Sequence, residues 1–195
     1  MAGRLHETDF KQTMEFREED RYPIAELAPR EDAYLHRRFL DYWLELRGGR
    51  AMPAYAELDP VEFPWALPNI FVTEALPEGD FVYRIAGEEH TQHYRRNLKG
   101  ARLSDIMQPE AAKAILERWQ MLIEMRAAFF IVTDHQSDAG ASVLGERMVL
   151  PLGNDHTTPT HLVGITNFLS SSAYAGSLLG DQRVRYVRWS RVERE

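Results

Sequence analysis

The sequence predicts one α+β domain: a five-stranded antiparallel sheet with helices mainly on one face and a helix ahead of it. Residues 31–47 place Leu35, Phe39, Tyr42, Trp43 and Leu46 along one side of a helix. Residues 109–126 repeat the pattern with Ala112, Ile115, Leu116, Trp119, Leu122 and Ile123. Five strand-like runs, 69–76, 81–86, 128–135, 146–153 and 161–168, fall into a pair and a triplet with short connections. Short connections favour antiparallel pairing and disfavour a doubly wound parallel sheet.

In chain order, residues 1–30 form a charged arm and a linker with Pro23 and Pro29, and Leu5, Phe10 and Met14 make only a weak apolar stripe. Glu31 and Asp32 suit the first turn of the first long helix. Gly48 and Gly49 supply its left-handed stop, so Gly49→Ala is expected to destabilise more than Gly153→Ala. The glycine pair is no phosphate loop, because no strand precedes it. Asp59 and Pro60 read as cap and first residue of a short helix kinked at Pro64 and finished before Pro68. Residues 77–80, PEGD, join the first two strands as a hairpin. Residues 87–107 suggest short helices with a turn at Gly100, and Pro109 opens the second long helix. Residues 170–195 are a tail whose last part alternates arginine with apolar residues, as an edge strand or a surface-lying arm would. The domain proper is expected over 31–169.

The 195 residues carry a net charge of −7, which opposes non-specific nucleic-acid binding. The absence of cysteine excludes disulfides, thiolate zinc sites and a cysteine nucleophile. No apolar run suggests a signal peptide or a membrane span, so a cytoplasmic protein without membrane contact is expected. No G-x-S-x-G is present, and Ser170–Ser172 have no base in the pattern. An enzyme is therefore not expected.

Four polar residues invite a functional reading. His90 and His93 stand three apart on a helical stretch beside Glu88 and Glu89, a spacing that suits a metal; the plainer reading is a solvated helix. Arg84 interrupts an apolar strand and is a candidate anion anchor, although alternation with Phe81, Tyr83 and Ile85 turns it outward. Arg50 is a candidate anion clamp, with bonds to loop carbonyls as the plainer role.

The strand–strand–helix–helix–three-strand order resembles the PAS topology. Trp43, Gly48–Gly49–Arg50, Pro53, Asp59–Pro60, Pro68, Tyr83–Arg84, Ala86–Gly87, Gly100 and the run RMVLPLGND at 147–155 are similar to a bacterial, alphaproteobacterial-type PAS-like family over about residues 32–168. The resemblance implies a non-enzymatic sensory or regulatory module that binds a small molecule or a protein partner and acts through a separate effector. Two alternatives are a small enzyme or ligand carrier using the same pocket, and an interaction scaffold with a filled core. Tyr83, Ile85, Tyr94, Trp119, Phe130, Met148 and Ile165 are the expected pocket lining. The cofactor is left unknown. A cysteinyl-flavin adduct and a thioester chromophore are excluded without cysteine, and haem is disfavoured because helix 109–126 lacks an axial histidine. A homodimer is expected, since PAS relatives often pair through N-terminal helices and Tyr34, Leu40, Phe10 and Met14 lack obvious cover.

Overall fold

The computed structural model describes residues 16–29, 33–136, 142–169 and 186–194. Phe10 and Met14, the Ser137–Gly140 turn and Ser170–Ser172 lie outside the described residues. Helix α1 spans Tyr34–Arg47, α2 Glu88–Tyr94 and α3 Pro109–Met125. Strands β1 (Ile70–Ala75), β2 (Phe81–Ala86), β3 (Ala127–Gln136), β4 (Ser142–Gly153), β5 (Pro159–Phe168) and β6 (Tyr186–Arg191) form one antiparallel sheet in the order β2-β1-β5-β4-β3-β6. The sheet thus has six strands, not five. The sixth comes from the tail, where alternating Val187 and Trp189 meet Ile131 and Phe129 of β3.

Period-2 alternation sorts the sheet's apolar residues onto two faces. Ile70, Val72, Phe130, Met148, Leu150, Val163 and Ile165 meet Phe39, Leu40 and Trp43 of α1. Phe71, Phe81, Tyr83, Phe129, Ile131, Val149 and Leu162 meet Tyr94 of α2 and Trp119 and Leu122 of α3. Leu40 is fully buried in this chain, so it leaves no surplus surface to cover, while Tyr34 remains 77% exposed. A β-bulge breaks the alternation of β2. Tyr83 pairs with Thr73 and Ile85 with Val72, so Arg84 is the extra residue and Ile85 passes to the α1 face.

The segment after α1 follows its prolines. It forms separate 3-10 turns at Pro60–Glu62 and Pro64–Ala66 instead of one kinked helix, and Asp59 Oδ1 accepts the Val61 N–H at 2.9 Å. The left-handed stop of α1 is Gly48 alone, at φ +56°. A Cβ on Gly49 would meet nothing within 4 Å, whereas one on Gly153 would lie 2.6 Å from the Thr158 carbonyl oxygen and 3.3 Å from Met52 Sδ. The expected order of the two mutants is therefore reversed. Gly153→Ala is predicted to lose about 1–3 kcal/mol by overpacking against backbone, and Gly49→Ala to stay within about 0.5 kcal/mol of the parent. Urea unfolding of both proteins checks this, and an equal midpoint for the two would contradict it.

Candidate functional site

The seven residues expected to line one pocket do not share one surface. Tyr83, Tyr94 and Trp119 lie on the face covered by α2 and α3. Phe130, Met148 and Ile165 form a cross-strand row on the α1 face, with Ile85 packed against the same cluster. Two causes combine. The bulge at Arg84 moves Ile85 across, and Phe130, Met148 and Ile165 are in mutual register, so all three fall on the α1 face. Trp119 is 1% exposed, stacked on Phe71 at 5.4 Å and edge-on to Phe81 at 5.3 Å. That part of the layer is filled.

Polar character enters the α2 face two residues along from Val149. Arg147 on β4 pairs with Thr166 of β5 and Ile131 of β3, and is only 4% exposed. Its Nε donates to Thr166 Oγ1 at 2.9 Å, and its guanidinium lies 5.3 Å from the Phe71 ring centroid. Neither partner carries charge. Among the described residues no carboxylate stands within ion-pairing distance of Arg147. The adjacent Glu146 serves the opposite face: its carboxylate accepts from Asn167 Nδ2 at 3.3 Å and lies 3.9 Å from His36 Nδ1.

Three further polar groups surround this end of the layer. His90 is fully buried on α2, and its Nε2–H donates to the Asn69 carbonyl at 3.0 Å. That bond fixes the neutral tautomer and leaves Nδ1 as an acceptor without a partner among the described residues. Burial, and then the charge of Arg147, push the His90 pKa down to about 3. Tyr83 and Tyr94 are 1% and 2% exposed. Burial, and then Tyr94, hold the Tyr83 hydroxyl well above its ordinary range, while Arg147 pulls it back. A buried cation without a carboxylate partner among the described residues and an unmet imidazole nitrogen in the same layer are the departure from filled-core chemistry that marks a site.

The other polar candidates have structural duties. α2 is not a solvated helix: His90 is internal, and His93 stacks on Phe168 at 4.4 Å. Arg84 is exposed and paired with Glu74. Arg50 donates to the Leu46 and Arg47 carbonyls, to Glu57 Oε1 at 2.8 Å and to His156 Nε2 at 3.1 Å. It also lines an open cleft of about 560 Å³ with Arg126, Arg191, Arg194, Asp155 and His156. Arg126, Arg191 and Arg194 are exposed, and among the described residues they have no carboxylate partner. Arg126 and His156 both hold left-handed backbone, at φ +50° and +62°.

Sequence reasoning picked Arg84 and missed Arg147. The signal was present: Arg147 shares the strand parity of Val149 within the apolar run 147–152, an inward position, whereas Arg84 sits on a bulge.

Among solved structures the chain is similar to VqmA bound to DPO, at 12% identity and TM-score 0.46, over 58% of this chain and 57% of that one. It therefore spans little more than half the VqmA chain. It is also similar to a PAS domain from Colwellia psychrerythraea (14% identity, TM-score 0.44, 56% of this chain and 95% of that one). A Rhodobacter sphaeroides LOV protein matches at 11% identity and TM-score 0.45, over 60% of this chain and 72% of that one. This chain has no cysteine, so a cysteinyl-flavin adduct is excluded. No curated protein matches the sequence. Among the described residues no helix is long and apolar enough to cross a membrane. The family model described as PAS domain matches residues 33–167, most of the chain, so the chain belongs to the PAS domain family.

Proposed function

We propose that the chain is a non-enzymatic regulatory module that binds a small molecule between α2 and the sheet and acts through a separate effector, as a cytoplasmic homodimer. The observation that supports this reading is the buried group Arg147, His90, Tyr83 and Tyr94, in which, among the described residues, Arg147 has no carboxylate partner and His90 Nδ1 no hydrogen-bond partner. Such groups are expensive in a packed interior and are retained where something else satisfies them. A molecule bound there touches α2, a seven-residue helix, so occupancy biases the position of that helix. For the dimer, Tyr34 offers an exposed aromatic at the start of α1.

A second reading, an interaction scaffold, is favoured by the arginine cleft. Arg126, Arg191 and Arg194, without a carboxylate partner among the described residues, present guanidinium groups suited to an acidic segment of a partner.

Native mass spectrometry of protein purified from its own host tests the first reading. The expected spectrum shows a dimer retaining a small molecule, with the mass added per chain lost on denaturation. Chains carrying no added mass would overturn the ligand reading and leave the scaffold as the better account.

A further inference from the structure

We propose that the small molecule is a monocarboxylate, with Arg147 as its counter-ion and a hydrogen-bond donor of the same molecule facing His90 Nδ1. The inference rests on the ligand reading above and adds the chemistry of the ligand.

The charge of the site sets the class. Arg147 contributes one positive charge, and the groups around it are neutral: Thr166, Phe71, Tyr83 and the Nε2–H tautomer of His90. A buried cation with no counter-anion is strongly unfavourable, and a hydroxyl and a ring face relieve only part of the penalty. One negative charge on the ligand balances it. A phosphate monoester carries about −1.5 to −2 at neutral pH and would leave net negative charge in the same buried layer. A carboxylate matches both the charge and the planar fork of the guanidinium. The neutral imidazole of His90 is an acceptor only at Nδ1, so it calls for an O–H or N–H on the ligand. The aromatic walls, Phe71, Tyr83 and Tyr94, suit an apolar or aromatic body.

The inference has a consequence that needs no knowledge of the natural ligand. If Arg147 is kept for an anion, the unliganded protein carries it as a burden. Replacing it with an uncharged side chain of similar length then leaves the unliganded protein at least as stable, as for other buried charges exchanged for apolar residues. The test is thermal unfolding of the full chain in low-chloride buffer, for the parent and for Arg147→Met, with acetate, benzoate and 4-hydroxybenzoate against neutral benzamide. The parent is expected to gain several degrees from at least one carboxylate near saturation, at about a hundredfold excess over Kd, and nothing from benzamide. Arg147→Met is expected to melt at or above the parent without ligand and to ignore the carboxylates.

Three results would overturn the inference. They are an Arg147→Met protein that fails to fold or melts several degrees lower, equal stabilisation of the parent by benzamide or chloride, and no response to any carboxylate. The native mass spectrum separates this inference from the reading beneath it. A bound neutral molecule would sink the carboxylate and leave the ligand-binding module standing, whereas chains without added mass would remove both.

Discussion

Trp119→Ala is expected to lower the unfolding free energy by about 3–5 kcal/mol, the range for deleting a large aromatic from a filled core. Its indole stacks on Phe71 at an interplanar angle of 8° and meets Phe81 edge-on at 88°. Phe71 in turn rests on bare backbone: a Cβ at Gly164 would come within 2.2 Å of its ring. The ring is therefore held between β5 and α3 and has no side chain on the sheet side to follow it into a hole. Collapse of the site is poor, which puts the mutant toward the costly end of the range. Urea unfolding monitored by far-UV circular dichroism measures the loss. A drop below about 1.5 kcal/mol would mean that the indole borders open space, contrary to the packing described. The loss also separates two parts of one layer, since Trp119 fills it and Arg147 charges it.

Much of this architecture was legible because it follows from periodicity. The stripes of α1 and α3 stand out in the sequence, and Pro109 marks the start of α3. The five apolar runs appear as β1 to β5, within about two residues at their ends apart from β4, which begins at Ser142 and not at Glu146. β6 was ambiguous because arginine at alternate positions fits an edge strand and a solvated arm equally; pairing with β3 decides it, and no local signal encodes that pairing.

The site was less legible for reasons that are tertiary. A bulge needs two strands to exist, so the passage of Ile85 to the α1 face cannot be seen in β2 alone. Whether an arginine has a counter-ion depends on residues far away in sequence. Arg84 and Arg147 look alike in their strands, yet the first has Glu74 and the second, among the described residues, has Thr166 and Phe71 and no carboxylate. Arg50 shows the reverse case. Its neighbouring glycines drew attention to it, but the structure spends its donors on Leu46, Arg47, Glu57 and His156.

Acid is expected to destabilise the protein well before its carboxylates protonate. His36 and His90 are both fully buried. Burial pushes the His36 pKa down to about 4, against the opposing pull of the Glu146 and Ile165 backbone, and His90 down to about 3. In the unfolded chain both imidazoles return to about 6.5. Above that value neither state binds the protons and the histidines contribute no pH dependence. As pH falls below it, the unfolded chain takes up a proton at each site while the folded chain does not. Stability therefore declines with falling pH, by about 1.4 kcal/mol per unit for each histidine, until the folded-state values are reached. Between pH 7.5 and about pH 5 the two together remove on the order of 4 kcal/mol. Glu57, whose pKa is also lowered, stays ionised in both states through this window and adds its loss only at lower pH, below its unfolded value. Urea midpoints measured at half-unit steps across the window should fall steadily. A flat profile down to pH 5 would show that these imidazoles titrate normally in the folded chain.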